Sequence, residues 1–295
     1  MGGAGFIGSH LSEKLSSLGR KVVIVDNFST STPIKNTQIY NIGVDDKDAI
    51  DKVFKKEKPD FVYHLAGVIN LRRNITDPLF IKDSNFLIRI KIILDACKKN
   101  NVKKFIFVSS SGVYENATVI PTPEDYPVHP KSLYALASLM VEKYIELYCQ
   151  NLKLNYVLPR LSNLYGERQW ESGIIPFLII KILHNDRPVI FGKGDQTRDF
   201  IYIDDVVEAL VLLSQKGKNG VYNVGSGKEV NLNEIFIIVR KLIRSSVLAI
   251  YKDLEKEESK RSSLDIKKIK KEIGWQAKVS IKEGLAKTIE WYQAK

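Results

Sequence analysis

Cysteine is scarce in this sequence of 295 residues, and long apolar runs are missing from it. The two cysteines, Cys97 and Cys149, are too few for a disulfide-stapled scaffold or a zinc site with four cysteine ligands. The 4 histidines are widely scattered, so we expect no metal site. No apolar run reaches the roughly 18 residues of a membrane-spanning helix, and the N-terminus lacks a signal-peptide pattern. We therefore expect a cytoplasmic protein.

Acidic residues are fewer than basic ones, 34 against 45, which gives a net charge of +11. A basic surface can bind nucleic acid or membrane headgroups. The lysines, however, are interleaved with acidic residues, as in Lys52–Lys58 and Lys252–Lys271, which is typical of solvated helix faces. We therefore expect neither a nucleic-acid nor a membrane partner, although part of the excess charge can favour a small anionic substrate.

Apolar strand-like runs alternate with amphipathic helical patterns through about the first 160 residues. The strand-like runs are Lys21–Val25, Phe61–Ala66, Lys104–Val108, Tyr156–Leu161 and Gly220–Val224. The helical patterns are Phe6–Leu18, Lys47–Lys55, Asn85–Asn100, Tyr134–Gln150 and Val206–Gln215. This alternation predicts an α/β fold with a doubly wound parallel sheet. Later, loops at Gly173–Pro176 and Gly192–Gly194 and then further helices predict a smaller lobe.

Glycines at positions 2, 5 and 8 precede a helical pattern, a strand-like run and Asp26. Such a loop lets backbone amides at a helix N-terminus approach a pyrophosphate. Asp26 at the end of the next strand can accept hydrogen bonds from an adenosine ribose, and it would repel a 2′-phosphate, which favours NAD over NADP. A loop of this kind should follow a strand. We therefore expect a first strand that is missing from the numbered chain, through a late start or because the chain is a fragment.

A run of hydroxyl side chains, Ser109-Ser110-Ser111, follows the strand-like run at Lys104–Val108. Tyr134 lies 24 residues after Ser110 (134 − 110) and opens a helical pattern. A hydroxyl at a strand end and a phenol on a helix can converge over a nicotinamide. There the phenol takes a proton from a sugar hydroxyl while hydride leaves the carbon.

Several ordered motifs cover nearly the whole chain. They are Gly2–His10, Asp26–Thr30, His64–Gly67, Ser109–Tyr114, Arg160–Gly166, Arg198–Asp205, Tyr222–Gly227, Gly274-Trp275 and Glu290–Tyr292. With these motifs the chain resembles the extended short-chain dehydrogenase/reductase family, and most closely the NAD-dependent sugar-nucleotide epimerase/dehydratase group that includes UDP-glucose 4-epimerase. The resemblance implies a Rossmann-like domain of residues 1–160 plus about 195–222. It also implies a nucleotide-sugar-binding lobe of about 161–194 plus 223–295.

The resemblance also implies roles for individual residues. The implied cofactor-binding residues are Gly2, Gly5, Phe6, Ile7, Gly8, Asp26, Asn27, Val44, Leu65, Ala66, Ser109 and Tyr134. The implied catalytic positions are Ser110, Tyr134 and Ser138, and the implied substrate-binding residues are Ser110, Asn163, Arg198 and Arg261. The segment Gly173–Gly194 would shape the base and sugar pocket. Family members commonly dimerise through two helices, which implies a homodimer through helices 85–100 and 134–150. For His10 and His64 we favour packing over catalysis.

The implied reaction is reversible 4-epimerisation of a nucleotide sugar, of the UDP-glucose/UDP-galactose kind. Tyr134, assisted by Ser110, would remove the 4-hydroxyl proton while hydride passes to tightly held NAD. The resulting 4-keto sugar would rotate and take hydride back on its other face. Ser111-Gly112 replaces the Asp-Glu pair of a 4,6-dehydratase, which argues against dehydration. A UDP-sugar decarboxylase or a 4-reductase remains an alternative.

Several matched positions depart from the family pattern. Ser138 stands four residues after Tyr134, where the family has a lysine on the same helix face. A cation ~5 Å from the phenol at an effective dielectric of ~20 contributes ~3 kcal/mol toward the phenolate, and serine contributes no charge. Gly43 replaces an Asp near the adenine, Ile88-Arg89 replaces Gly-Thr, and Glu255 stands where an Arg for the diphosphate is expected. These departures leave a second hypothesis open, a catalytically weakened or inactive nucleotide-sugar- or NAD-binding relative.

Overall fold

The structure is a computed structural model that describes residues 1–28, 37–66, 86–169, 173–253 and 259–295. The motif and helix positions Ser29, Thr30, Gly67, Asn85, Glu255 and Lys256 lie outside the described residues. The described helices are α1 (Phe6–Ser17), α2 (Lys47–Glu57), α3 (Phe86–Lys99), α4 (Leu133–Leu152), α5 (Ile174–Leu183), α6 (Ile203–Lys216), α7 (Leu232–Ile243), α8 (Lys267–Ile273) and α9 (Ile281–Gln293).

The described strands are mostly short. They are β1 (Val23–Asp26), β2 (Gln38–Asn41), β3 (Phe61–His64), β4 (Lys104–Phe107), β5 (Ser109–Ser110), β6 (Asn155–Leu161), β7 (Asn163–Tyr165), β8 (Val189–Phe191), β9 (Thr197–Arg198), β10 (Phe200–Tyr202), β11 (Gly220–Val224), β12 (Val230–Asn231) and β13 (Ile250–Lys252). A 3-10 turn spans Ser111–Tyr114. Each strand and helix predicted above from its apolar pattern is present to within a few residues.

One predicted loop is wrong. The segment Gly173–Pro176 does not form a loop, because helix α5 begins at Ile174 with Gly173 as its N-cap. Proline is tolerated in the first turn of a helix, where its missing N–H would have had no intrahelical acceptor. Pro176 is buried in that turn. The Gly and Pro residues there mark the start of a helix and not an irregular connection.

The chain divides into two compact units. Unit 1 comprises residues 1–115, 128–160 and 210–222, and unit 2 comprises residues 116–127, 161–209 and 223–295. Compared with the division expected from the sequence, residues 116–127 and 195–209 cluster with unit 2. Thr122 explains the first difference, because its N–H donates to Ser263 O (2.8 Å) and its carbonyl accepts from Asp265 N–H (2.9 Å). The second difference, at residues 195–209, follows because β10 pairs with β7 and β9 pairs with β12.

The main sheet of unit 1 has the strand order β11–β6–β4–β3, with β5 paired to β6. Strands β3, β4 and β6 run parallel, and β1 and β2 form a separate parallel pair. Helices α2, α3 and α4 supply apolar side chains to the core, among them Ile50, Ile93 and Ile145, each fully buried. Parallel strands place their carboxyl ends at one edge, where open α/β sheets bind ligands. Ser109, shortly after β4, and Leu65, after β3, lie at such ends.

Met1 and Gly2 make strand-like hydrogen bonds on two sides. The nitrogen of Met1 donates to Tyr63 O (2.9 Å), and Leu65 N–H donates to Met1 O (2.9 Å), which is the pattern of a parallel pair. Gly2 N–H donates to Val25 O (2.9 Å). These two residues therefore bond to β3 on one side and to β1 on the other. The expected first strand stays a prediction.

Unit 2 is built from short strand pairs and helices. β7 and β10 are parallel, β8 and β13 are parallel, and β9 and β12 are antiparallel. Its apolar core includes the fully buried Ile235 of α7, Trp275 and Leu285 of α9. None of the helices in the described part of the chain is long and apolar enough to cross a bilayer. Across the same residues, no group of three or more His, Cys, Asp and Glu side chains is placed to hold a metal ion.

Candidate active site

Of the glycines at positions 2, 5 and 8 in unit 1, Gly2 and Gly8 leave no room for a side chain. Gly2 has a φ of 70°, and a β-carbon there would lie 2.6 Å from Ala66 N and 2.9 Å from Leu65 C. A β-carbon on Gly8 would lie 2.6 Å from the α-carbon of Gly3. Gly2 therefore lets the loop contact the backbone after β3, and Gly8 lets α1 pack against the loop.

Gly5, in contrast, has room for a β-carbon. The nearest atom to a β-carbon on Gly5 would be Gly2 O at 3.5 Å. Gly5 is also the N-cap of α1, which has no side-chain cap and no acidic residue in its first turn. The first amides of a helix have no intrahelical partner, and they favour an anion. Phe6 and Ile7 lie in this turn, so the residues present fit the pyrophosphate of a dinucleotide.

Asp26 ends β1 and is buried beside this loop. Its Oδ2 accepts a hydrogen bond from Ala4 N–H (2.9 Å), and its Oδ1 accepts one from Phe28 N–H (2.9 Å). Each carboxylate oxygen has further lone pairs, so the side chain can also accept from a ribose diol. Asp26 thus fixes the glycine loop and stands where a ribose-binding acid is expected, with Asn27 exposed beside it.

An ion pair lies close to Gly43, the position at which the resemblance implies an Asp near the adenine. Arg89 Nη2 lies 3.7 Å from Asp45 Oδ2. The nearby Val44 is half-buried and packs against the apolar core of unit 1. A β-carbon on Gly43 would contact the Asp45 carboxylate, which is exposed and can rotate away.

The two histidines near the loop are packing residues, as the sequence favoured. His64 is buried, and its ring stacks on Phe105 and Phe107 at centroid distances of 6.3 Å and 5.9 Å. Burial lowers the pKa of His64 to about 3, so the ring is neutral at physiological pH. His10 meets the ring of Phe6 edge-on at 5.8 Å.

Ser110 and Tyr134 lie next to each other in unit 1. A β-carbon on Gly112 would lie 3.3 Å from Ser110 Oγ and 3.6 Å from Tyr134 Cε1, so both side chains flank Gly112. Gly112 N–H donates to Ser110 Oγ (3.1 Å). That bond uses an acceptor site of the hydroxyl and leaves its proton to be donated. The structure therefore places the Ser110 hydroxyl and the Tyr134 ring, the two side chains that the sequence singled out, on either side of Gly112.

The start of α4 is fixed by two side chains. Ser132 caps the helix by accepting from Ala135 N–H (3.2 Å). Glu115, just after the 3-10 turn, accepts from Lys131 N–H (2.5 Å) and Ser132 N–H (2.7 Å). The carboxylate thus ties the entry of α4 to the segment that carries Ser110. These bonds determine where Tyr134 begins its helix.

Ser138 does not replace the lysine that the family has at this position. Its hydroxyl donates to the carbonyl of Tyr134 (2.9 Å), one turn earlier in the same helix. A serine that bonds back to its own helix is satisfied locally. Ser138 therefore supplies neither a charge nor, in this conformation, a hydroxyl proton directed away from α4.

Ser109 is buried, and its side chain is committed to another partner. Its hydroxyl donates to Glu142 Oε1 (2.5 Å), and Glu142 in turn binds Arg160. Only the backbone of Ser109 is thus left for the nicotinamide position that the resemblance implies. The sequence analysis did not single out Glu142 as a site residue. A carboxylate two turns after Tyr134 in a largely apolar helix could have indicated it.

The predicted substrate residues of unit 2 gather around β9 and the segment that starts at residue 259. Arg198 Nη1 donates to Thr197 O (2.9 Å) and Ser259 O (2.8 Å). Asn163 is exposed on β7, and its Nδ2 donates to the carbonyl of Asp199 (3.3 Å). The backbone therefore holds both side chains.

Arg261 is paired with a carboxylate that the sequence analysis did not single out. Arg261 Nε donates to Glu229 Oε1 (3.0 Å), and Nη2 donates to Glu229 Oε2 (2.5 Å). The Thr197 hydroxyl also donates to Glu229 Oε1. Arg198 bonds the carbonyl of Ser259, two residues before Arg261, so both arginines lie along β9 and the segment that starts at residue 259, and we call these two residues the basic cluster of unit 2.

Asp199 organises the backbone of this cluster. Its buried carboxylate accepts from Ser226 N–H (2.8 Å), Gly227 N–H (3.1 Å) and Leu264 N–H (3.2 Å). Burial raises the pKa of Asp199 even though these hydrogen bonds oppose the shift. The residue after Arg198 therefore ties β9 and β10 to the loop after β11 and to the 259–264 segment.

Known proteins share this architecture over nearly the whole chain. A UDP-glucose 4-epimerase of Thermotoga maritima, solved with UDP-glucose, has a TM-score of 0.94 at 35% identity, covering 99% of this chain and 97% of that one. A UDP-glucose 4-epimerase of Thermus thermophilus in complex with NAD has a TM-score of 0.90 at 28% identity, with coverage of 99% and 97%. A protein of Methanocaldococcus jannaschii, provisionally named a UDP-glucose 4-epimerase, is 39% identical over 299 residues, 98% of this chain and 96% of its own length.

The sequence profile of the NAD dependent epimerase/dehydratase family matches residues 1–225. That match spans all of unit 1 and the part of unit 2 that carries Asn163 and Arg198. It agrees with the doubly wound parallel sheet, the glycine loop and the adjacent serine and tyrosine described above. The chain therefore belongs to the NAD dependent epimerase/dehydratase family.

Proposed function

We propose that this protein is an NAD-dependent epimerase that inverts the C4 configuration of a UDP-sugar, interconverting UDP-glucose and UDP-galactose or close analogues. The observation that carries the proposal is the adjacency of Ser110 and Tyr134 at the carboxyl edge of a parallel sheet whose glycine loop fits a dinucleotide. Similarity to UDP-glucose 4-epimerases over almost the full chain supports it.

NAD, when bound, supplies the hydride acceptor and donor at the sugar carbon. Gly5 and the first turn of α1 would hold its pyrophosphate, and Asp26 would hold its adenosine ribose. The Tyr134 phenol accepts the proton of the sugar hydroxyl and later returns it. Ser110, oriented by Gly112 N–H, donates a hydrogen bond at the same oxygen and helps to place it against the phenol.

The basic cluster of unit 2 binds the substrate diphosphate. Arg198 and Arg261 present planar guanidinium groups, which suit bidentate contacts with phosphate oxygens. Asn163 adds an exposed amide that can hydrogen-bond the same group. The exposed pairing of Arg261 with Glu229 is exchangeable, so a diphosphate can replace the carboxylate.

Two measurements on the purified protein test this function. Denaturation should release NAD, and the native protein should interconvert UDP-glucose and UDP-galactose. Tyr134→Phe should keep its NAD and lose turnover by about a hundredfold or more, because the phenol is the proton acceptor. Release of carbon dioxide or consumption of external NADH would instead support the decarboxylase or the 4-reductase alternative. Absence of NAD together with absence of turnover would contradict the proposal.

A second candidate function, a catalytically weakened relative that binds the same ligands, is favoured by Ser138. Its hydroxyl is bonded to Tyr134 O, and the position carries no positive charge. Ser138→Lys should raise turnover well above tenfold if the missing cation limits proton transfer. Ordinary turnover by the unaltered chain would eliminate this second candidate, and Ser138→Ala is the matched control for the loss of serine alone.

We also propose a homodimer through helices 85–100 and 134–150. Leu136, Met140 and Leu147 of α4 and Ile88 of α3 are exposed apolar side chains, and Leu147 is 64% exposed. Leu94 of α3 is fully buried in the core of unit 1 and is therefore not part of this face. Sedimentation at micromolar concentration should give a dimer, and Leu147→Lys should shift it toward a monomer. A wild-type monomer would contradict the interface. The cytoplasmic location and the exclusion of nucleic-acid partners stay predictions.

A further inference from the structure

A buried ion cluster lies directly beside the Ser110–Tyr134 pair in unit 1. We call Ser109, Tyr114, Glu142 and Arg160 the Glu142 cluster. Its Glu and Arg side chains are 2% and 4% exposed. Glu142 accepts from Ser109 Oγ (2.5 Å), from Arg160 Nε (3.0 Å) and from Arg160 Nη2 (2.6 Å). The remaining arm, Arg160 Nη1, donates to Tyr114 OH (2.6 Å), and the guanidinium carbon lies 4.7 Å from the centre of that ring.

The cluster joins every element that carries the reacting hydroxyls. Ser109 belongs to β5 with Ser110, Tyr114 ends the 3-10 turn that contains Gly112, and Glu142 belongs to α4 with Tyr134. Arg160 projects from β6, which pairs with both β4 and β5. The guanidinium is a rigid fork, so it fixes the directions of its partners as well as their distances.

The position of Ser109 sets the position of Ser110. Consecutive side chains of a strand point to opposite faces, so a Ser109 hydroxyl held by Glu142 directs Ser110 to the other face. That other face is where Ser110 Oγ meets Gly112 and Tyr134. Glu142 lies eight residues after Tyr134, or about 12 Å along the helix axis, which is too far for Glu142 to take part in the chemistry itself.

Stability does not by itself account for this cluster. A buried ion pair replaced by well-packed apolar residues often leaves a protein equally stable or more stable. We propose, resting on the epimerase function above, that Glu142 is a positioning residue that keeps α4 in register with β5 and so holds Tyr134 against Ser110. Catalysis by oriented groups is sensitive to displacements of about 1 Å, which can cost a hundredfold in rate.

The central test removes the whole ion pair so that no charge is left buried alone. Glu142→Met/Arg160→Met should fold, retain NAD and keep KM for UDP-glucose within about twofold, because the diphosphate residues lie in unit 2. Its kcat should fall about tenfold to a hundredfold, because Tyr134 and Ser110 lose their register. Glu146→Gln is the matched control on the same helix, since Glu146 forms only an exposed pair with Lys143 at 2.9 Å. That control should leave kcat unchanged.

A second variant tests the same proposal if the double variant does not fold. Ser109→Ala removes the link to Glu142 and leaves the Glu142–Arg160 pair intact. Ser109→Ala should lower kcat at least threefold while the protein stays folded, and, where Glu142→Met/Arg160→Met folds, it should cause no further loss in that background. An additive loss in that background would show that Ser109 acts on the cofactor directly. That additive loss would overturn the positioning role. An unchanged kcat in Ser109→Ala or in a folded Glu142→Met/Arg160→Met protein would overturn it too. Loss of NAD along with kcat would also overturn it.

Failure of the epimerase function would be recognised separately. If the wild-type protein turns over neither UDP-sugar, the proposed function fails and hydrogen exchange becomes the readout for positioning. Residues 132–140 at the start of α4 should then exchange faster in Glu142→Met/Arg160→Met than in the wild type or in Glu146→Gln. Equal exchange in all three proteins would overturn the proposal whatever the activity.

Discussion

Two glutamate–arginine pairs in this protein have almost the same hydrogen-bond geometry and opposite surroundings. In unit 1, Glu142 and Arg160 are joined by short bonds and are 2% and 4% exposed. In unit 2, Glu229 and Arg261 are also joined by two guanidinium hydrogen bonds, but they are 21% and 62% exposed. The burial of such a pair, and not its hydrogen-bond geometry, therefore decides whether the two side chains can separate.

The buried pair is fixed, and the exposed pair is exchangeable. Separating Glu142 from Arg160 would leave a charge in a low-dielectric interior, so the cluster stays together throughout a catalytic cycle. Water and salt screen the pair of Glu229 and Arg261, which can therefore open at little cost. A fixed pair suits the alignment of reacting groups, and an exchangeable pair suits the capture and release of a diphosphate.

The largest expected difference between the two pairs is in stability. Arg160→Met leaves the Glu142 carboxylate buried without its cation, which should lower the free energy of unfolding by ~3–5 kcal/mol. Arg261→Met should leave the free energy of unfolding unchanged within the error of a urea titration. Urea unfolding of both variants beside the wild type measures this contrast. Equal losses in the two variants would mean that burial does not separate the pairs.

The next effect is on substrate affinity. Arg261→Ala should raise KM for the UDP-sugar about tenfold while kcat changes little, because a charge-assisted contact with the diphosphate is lost. Glu229→Gln should lower KM about twofold to fivefold, because the competing carboxylate is weakened. Lys260→Ala removes a neighbouring lysine and serves as the control. A KM that is unchanged in Arg261→Ala would exclude this residue from substrate binding.

The smallest effect is on the pH dependence of stability. Hydrogen bonds from Arg261, with a further one from Thr197, hold the pKa of Glu229 below its usual 4.5. A carboxyl with a lowered folded-state pKa stabilises the protein fully above the unfolded value and less as pH falls through the folded value. The difference in unfolding free energy between wild type and Glu229→Gln should thus be constant above about pH 5 and shrink toward about pH 3. A pH-independent difference would contradict the assignment.

Much of unit 1 follows from local patterns. The helix carrying Tyr134 was predicted at 134–150 and is observed as α4 at Leu133–Leu152, because its apolar spacing and the Ser132 cap are local signals. The glycine spacing likewise predicts the turn at Gly2 and Gly5 that leads into α1, and Gly8 lies in the first turn of that helix. The sequence did not distinguish Gly5, which has room for a β-carbon, from Gly8, which is buried against the loop. That distinction depends on which backbone approaches each glycine.

The amino-acid sequence by itself determined the family, the parallel α/β sheet, the dinucleotide loop and the identity of the serine and tyrosine pair. These properties rest on short-range periodicity and on motifs whose residues are near each other along the chain. Only the tertiary structure decided that Ser138 bonds back to its own helix, that Glu142 reaches across to Ser109 and Arg160, and that Arg261 is held by Glu229. The partners of Glu142 and of Glu229 are 18 to 33 residues away along the chain. Their pairing is set by the packing of helices on strands, which no local pattern records.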